Sequence, residues 1–295
     1  MAPDTANATE PGATGEHAPA KVNLALHVTG RRADGYHLLD TLVVFTETGD
    51  RIRAADAGSD GFAVTGPFAA DIPADGANLV LRARDLLRGV AGASARPVRI
   101  ELDKALPAAS GIGGGSSDAA ATLRALARLW GLSLSAGDLA TIALPLGADL
   151  PMCLAAHTLR ARGVGEALAP VDGLPGLDMV LVNPGVAVAT PAVFTALANR
   201  ANPPLAPLPA RPDFSILVEW LAAARNDLEA PAVSIAPAIA SCLAALRQSG
   251  AALARMSGSG ATCFGLYPSR QDAARAAAAI AAGQPSWYVR ATRTI

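Results

Sequence analysis

The stretch LPAASGIGGGSSDAAATL, Leu106 to Leu123, sets Gly111, Gly113, Gly114 and Gly115 among Ser110, Ser116 and Ser117, directly before an alanine-rich helical run. Glycine weakens a helix by about 1 kcal/mol per residue relative to alanine, so a cluster at a helix start calls for a reason beyond chain reversal. Chemistry supplies one. With no Cβ atoms in the way, backbone N–H groups converge at the positive end of a helix dipole and form a cradle for an anion such as phosphate. No lysine follows the glycines as in GxxxxGK[ST], and the spacing is not that of a GxGxxG loop with an acidic residue placed for a ribose. Both common nucleotide loops are therefore rejected. Ser116 and Ser117 admit two roles: capping the helix, or lending a hydroxyl to a phosphate-bound Mg2+.

A second group of polar side chains lies in AKVNLALHVT, Ala20 to Thr29. Strict alternation puts Val22, Leu24, Leu26 and Val28 on one face of a strand and Lys21, Asn23, Ala25 and His27 on the other. Lys21 and Asn23 thus share a polar face, about 7 Å apart.

These groups need a frame. After Thr29, GRRADGYH reads as a turn, and TLVVF, DRIRAA and GFAVTG read as short strands broken by Gly and Asp. Apolar spacing predicts a helix over Asn78–Val90, a strand over Pro97–Leu106 that feeds the glycine loop, and an amphipathic helix over Ser116–Trp130. That helix has Asp118 in its first turn and Gly131 as its stop. A helix after Ser135, an irregular PLGADLPMCL and strands at His157–Arg162 and Glu166–Val171 complete this half. The second half reads as a strand at Met179–Val182 and helices at Pro191–Asn199, Asp213–Ala224 and Ile235–Gln248. A strand pair around ALARMSGSGATCFGLY, a helix at Gln271–Ala282 and a last strand near Trp287 follow. With the helical block counted as one crossover, the order is β-α-β-β-α-β, the pattern of a ferredoxin-like sandwich.

The chain of 295 residues, 51% hydrophobic, is long enough for about two domains. Its 24 basic and 25 acidic residues leave a formal charge of −1, so no global field favours nucleic acid or an anionic membrane. Neither is an expected partner. Cys153, Cys242 and Cys263 form no CxxC pair, which argues for buried reduced thiols in a cytoplasmic protein. Residues 1–18 are polar and small, lack the pattern of a signal peptide and are expected to be a disordered tail. No run of about twenty apolar residues follows, so the chain reads as soluble.

PAASGIGGGSSDAAATL resembles the phosphate-binding motif of the GHMP kinase superfamily: Pro, three variable residues, Gly, an aliphatic residue, Gly-Gly-Gly-Ser-Ser, Asp or Asn, Ala-Ala. AKVNLALHVTGRRADGYHLLDTL from Ala20 and LGADLPMCL from Leu146 narrow the resemblance to the branch that acts on a cytidine diphosphate-linked methylerythritol. GVGE at Gly163, NPG at Asn183, TPAVF at Thr190, ND at Asn226 and RMSGSGAT at Arg255 extend it over Pro19–Tyr267. Ala108, Ala109 and Ser110 stand where the motif leans to glycine. The resemblance implies an α+β, two-domain GHMP kinase fold. Residues 19–156 would form a domain like the second domain of ribosomal protein S5 and residues 157–295 a ferredoxin-like domain, with the site in the cleft between them. It also implies ATP-dependent phosphorylation of the polyol's 2-hydroxyl in the non-mevalonate route to isoprenoids, with Mg2+ accompanying ATP and a monomer or homodimer as the assembly.

Roles follow from the same resemblance. Asp149, in GADLP, matches the catalytic aspartate and would accept the hydroxyl proton late in transfer or orient the hydroxyl. On residue type alone it suits a turn or helix cap. Lys21 matches the catalytic lysine and would hold that carboxylate ionised, while Asn23 would bond the polyol. Tyr36 and Phe194 would sandwich the cytosine and His37 would read its edge. Thr190 would line the pocket, although before Pro191 it also suits a helix cap. The loop Pro107, Ala108, Ala109, Ser110, Gly111, Ile112, Gly113, Gly114, Gly115, Ser116 and Ser117 would hold the ATP phosphates. Asn78 and Lys104 would border adenine, and Gly258 and Gly260 would lie near the transferred phosphoryl group. Rival readings are another superfamily kinase, acting on mevalonate, homoserine or a sugar, and a catalytically silent nucleotide-binding homologue. GRRADGYH with TPAVF speaks against the first, and the presence of both Lys21 and Asp149 against the second.

Overall fold

The computed structural model describes residues 12–295. In chain order its elements are β1 (Ala13–Arg31), β2 (His37–Asp56), β3 (Gly61–Thr65), α1 (Leu79–Ala91), β4 (Val98–Asp103), α2 (Gly114–Leu129), α3 (Ala136–Ala143) and α4 (Leu150–Ala155). They continue with β5 (Leu159–Gly163), β6 (Ala167–Pro170), β7 (Asp178–Asn183), α5 (Thr190–Thr195), α6 (Phe214–Ala223), α7 (Glu229–Ile235) and α8 (Ala238–Gln248). β8 (Leu253–Met256), β9 (Cys263–Tyr267), α9 (Arg270–Gly283) and β10 (Tyr288–Arg293) follow.

Two compact units divide these residues, and neither is a continuous stretch. One holds residues 12–18, 49–106 and 115–154; the other holds 19–48, 107–114 and 155–295. Where a single break between 156 and 157 was expected, residues 19–48 and 107–114 sort with the C-terminal stretch, and β1 and β2 each contribute to both units. The expected disordered tail over 1–18 is corrected as well. Residues 13–18 are already strand: the Gly12 carbonyl accepts the Asp56 N–H (3.1 Å), and Glu16 pairs with Arg124 (2.8 Å), so small polar residues are held by their neighbours. Residues 1–11 lie outside the described residues.

In the first unit, residues 51–56 of β2 pair antiparallel with β4, and β3 pairs with β4 in parallel. β4 alternates cleanly, with Val98, Ile100 and Leu102 buried and Arg99, Glu101 and Asp103 exposed. The Gly49-Asp50 step, read as a break between two short strands, does not interrupt β2. Asp50 is spent on a buried ion pair rather than a turn. α2 buries a face of alanines and leucines, including Ala119, Leu123 and Leu126.

The second unit contains a four-stranded antiparallel sheet in the order β10-β7-β9-β8. With α5 to α8 as one crossover and α9 as the other, this is the β-α-β-β-α-β arrangement expected. Every residue of β7 and β9 is buried, and Val180, Val182, Leu243, Leu246, Ile280 and Tyr267 meet in one cluster. Each aliphatic side chain fully buried there contributes about 1.5–3 kcal/mol. The helix expected over Ile235–Gln248 starts at Ala238 as α8, and α7 before it was not expected; Pro237 separates the two by driving the preceding Ala236 out of helical backbone, to φ −132° and ψ 85°. Among the described residues no helix is long and apolar enough to cross a membrane.

Candidate active site

The glycine loop, residues 107–114, is knitted into the second unit by its backbone. The Lys21 N–H donates to the Ile112 carbonyl (2.9 Å), and the Thr262 N–H donates to the Ser110 carbonyl (3.0 Å). Ser110 closes the loop on itself through the Pro107 carbonyl (2.7 Å). Gly111 has φ +75°, and a Cβ there would stand 2.6 Å from the Gly260 carbonyl oxygen and 2.7 Å from that of Ser257. Gly258, at φ +55°, approaches from the other side: its Cβ would stand 2.8 Å from the Gly111 carbonyl oxygen. Only glycine permits both conformations at that separation. Ala109, at φ +47°, carries left-handed backbone with a side chain, a strained position of the kind found at functional loops.

Ser257 ties three stretches together. Its hydroxyl donates to the Gly111 carbonyl (3.1 Å) and accepts the Asn23 N–H (3.0 Å). The Asn226 amide holds the same turn from behind through the Met256 and Gly258 carbonyls, both at 2.8 Å. Gly260 belongs to this turn and donates its N–H to the Ser257 carbonyl (3.0 Å). Lys21 and Asn23 therefore stand beside the loop. The polar face of β1 is covered: Lys21 is 5% and Asn23 2% exposed. The Lys21 side chain packs against Gly113, where a Cβ would meet it at 3.1 Å.

A second cluster in the same unit carries rings. His37 stacks on Phe194 with centroids 4.6 Å apart and planes 22° from parallel. Phe194 is half-buried and also packs on the hydrophobic cluster, so the core role and the ring role coincide. Tyr36 is exposed on the turn before β2. Burial, followed by the nearby Arg31 and Arg200 cations, lowers the His37 pKa, and the imidazole is neutral at pH 7. Its Nε2 is buried with no partner among the described residues. Thr190 is not the cap of α5. Ala189 takes that position, and the Thr190 hydroxyl instead meets that of Ser259 at 2.7 Å.

α2 starts at Gly114, two residues before the expected Ser116, and from Gly115 on it belongs to the first unit. The glycines therefore enter the helix, and Ser116 and Ser117 lie in its first turn rather than at its cap; Ser117 is buried. Asp118 falls beyond the first turn and is buried. Lys104 reaches it at 2.7 Å and reaches Asp50 at 2.5 Å. Burial opposes the charge on Lys104, but the two carboxylates outweigh it and raise its pKa. Burial pushes Asp118 up to about 8, with Asp50 adding to the rise and Lys104 opposing it. Asp50 also accepts the N–H groups of Ala105 and Leu106, at 2.7 and 2.8 Å. The Lys104 side chain thus lies in the core. Asn78 is similarly engaged: its amide caps α1 through the Val80 N–H (2.8 Å) and donates to the Pro73 carbonyl (2.7 Å). Asp149 is half-buried immediately before α4, its carbonyl accepting the Cys153 N–H (3.1 Å) as a helix-start residue does.

Sequence reasoning passed over Thr41, Asp50, Ser257 and Ser259. The last two sit inside a quoted motif, SGSGA, whose glycines drew the attention. Nothing in the local pattern around Thr41 and Asp50 distinguishes them from ordinary strand residues.

Known proteins complete the picture. Residues 78–157 match the model of the GHMP kinases N terminal domain, and residues 209–285 match that of the GHMP kinases C terminal. The 4-diphosphocytidyl-2-C-methyl-D-erythritol kinase of Mesorhizobium japonicum is 55% identical over 97% of this chain and 98% of its own length. That of Brucella melitensis biotype 1 is 58% identical over 92% of each. A crystal structure of 4-(cytidine 5'-diphospho)-2C-methyl-D-erythritol kinase superposes with a TM-score of 0.78 at 36% identity, covering 96% of this chain and 100% of that one.

Proposed function

The chain belongs to the 4-diphosphocytidyl-2-C-methyl-D-erythritol kinase family of the GHMP kinases, and from that premise we propose that it transfers the γ-phosphoryl group of ATP to the 2-hydroxyl of 4-diphosphocytidyl-2-C-methyl-D-erythritol. Release of ADP and the 2-phosphate would place it in the methylerythritol phosphate route to isoprenoids, in the cytoplasm. The observation that carries the reading is the loop 107–114 locked between Lys21 on β1 and the 257–260 turn.

Phosphoryl transfer asks little covalent chemistry of a protein and much positioning. The N–H groups at the start of α2 are oriented donors that need no reorganisation when charge builds on the phosphoryl oxygens. Lys21, buried beside the loop, supplies a positive charge that favours the alkoxide character of the attacking hydroxyl. Asp149 takes the proton as the bond forms. Asn23 bonds the polyol, and His37, with Tyr36 and Phe194, receives the cytosine. The hydroxyls of Ser116 and Ser117 are hard oxygen donors that suit Mg2+, with Ser117 the residue we assign to it. When bound with ATP, Mg2+ neutralises charge on the phosphate oxygens.

The test is a substrate panel. With Mg2+ and ATP, ADP release should be rapid with 4-diphosphocytidyl-2-C-methyl-D-erythritol and negligible with homoserine or mevalonate, and cytidine diphosphate should compete. Equal turnover with homoserine or mevalonate would overturn the assignment. Chelation of Mg2+ should abolish turnover without changing the melting temperature.

A further inference from the structure

Asn23 has two ends, and which one faces a ligand decides what that ligand must offer. The Thr41 hydroxyl settles the matter by proton counting. It lies 2.7 Å from the Ala25 carbonyl oxygen, which only accepts, so its single hydrogen is committed there. The contact with the Asn23 side chain, at 2.8 Å, must then run the other way, with the amide NH2 donating to Thr41. Oδ1 points away from Thr41, buried and without a hydrogen-bond partner among the described residues. It lies 3.4 Å from where a Cβ on Gly258 would stand, beside the turn that holds the glycine loop. Thr41 is 1% exposed, and its hydroxyl bonds to Asn23 and to the Ala25 carbonyl.

We propose that Thr41 is a positioning residue for the substrate site: it locks the Asn23 amide with Oδ1 as a buried acceptor, so the ligand group received there is a donor, a hydroxyl of the polyol. This rests on the phosphotransferase reading above. A carbonyl or phosphate oxygen offered at the same place would meet oxygen and be rejected. ATP, assigned above to the glycine loop, and the cytidine diphosphate portion, assigned to the rings of Tyr36, His37 and Phe194, should be indifferent to Thr41.

The full-length chain is assayed as native protein, as Thr41→Val and as Thr41→Ser. Val keeps the shape and removes the hydroxyl, while Ser keeps the hydroxyl. The KM for 4-diphosphocytidyl-2-C-methyl-D-erythritol, and its Kd by calorimetry, should rise about tenfold or more in Thr41→Val and return to near native in Thr41→Ser. The KM for ATP and the affinity for cytidine diphosphate should stay within about twofold. If Thr41→Val does not fold, Thr41→Ala is read by the same criteria. Unchanged substrate affinity in the hydroxyl-free variant overturns the proposal, and so does a parallel loss of ATP and cytidine diphosphate binding. A native chain that phosphorylates the compound while these variants behave so removes the Thr41 role alone. A native chain that neither binds nor phosphorylates it removes the function as well.

Discussion

His37 is the side chain whose charge state most directly touches substrate choice. Burial and its two arginine neighbours hold its pKa below the ordinary 6.5, so it stays neutral, with one ring nitrogen free to accept, at pH 7. As pH falls below 6.5 the ring gains a proton and loses that acceptor. The KM for the cytidine substrate should be flat from pH 8 to 6.5 and climb on further acidification, and His37→Gln should abolish the climb. A flat native profile down to pH 5 would remove His37 from base recognition. At this scale the sequence was readable where a periodicity constrained it. Alternation along β1 paired Lys21 with Asn23 correctly, yet it could not reveal that their face is covered, because the cover comes from residues about ninety and more than two hundred positions away. Thr190 and Ser116 looked like caps because caps depend on residue type. The helix starts were instead set by backbone two residues earlier for α2 and one earlier for α5.

The element that matters most is the glycine loop with the strand before it and the helix after it. Gly111→Ala adds a Cβ to left-handed backbone, a cost of about 1–2 kcal/mol, and drives it against two carbonyls of the 257–260 turn. We expect kcat/KM to fall at least a hundredfold, the scale of a 1 Å misplacement. Gly131→Ala, with similar φ but open space around it, should cost only the backbone strain. Retained activity in Gly111→Ala would mean that the interlock is not needed for catalysis. The Lys104, Asp50 and Asp118 triad holds the chain entering the loop and the helix leaving it. The pKa of Asp118 is raised from an ordinary value near 4 to about 8, so the folded state takes up a proton that the unfolded chain releases. Stability from this group is full at low pH and is lost as pH rises towards about 8. Melting temperature should decline from about pH 4 to about pH 8 in the native protein, level off above that, and be flatter over the same range in Asp118→Asn, which removes the titration. Equal slopes would show that Asp118 does not titrate there. Strands and helices with strong patterns, such as β4 and α9, were legible in the sequence. The continuity of β2 was not, because Gly-Asp punctuates a strand only when the Asp has no buried partner, and Asp50 has Lys104.

On the scale of the molecule, the ferredoxin-like order of the second unit followed from counting elements, since β-α-β-β-α-β leaves few ways to close an antiparallel sheet. The interleaving of the two units did not follow, because β1 and β2 are each long enough to serve both and no linker composition marks where they pass from one to the other. The near-neutral charge excluded a global field and left anion binding to local backbone, in keeping with a GHMP kinase fold that carries a glycine loop. The central claim is that this chain phosphorylates its cytidine-linked polyol with Asp149 taking the proton. ADP release with Mg2+, ATP and 4-diphosphocytidyl-2-C-methyl-D-erythritol, measured side by side for the native protein and Asp149→Asn, tests it most directly. The account predicts turnover in the native chain that falls by a factor of about 10²–10⁴ in the variant, with cytidine diphosphate still bound. Undiminished turnover in Asp149→Asn, or tight ATP binding with no turnover in the native chain, would contradict it.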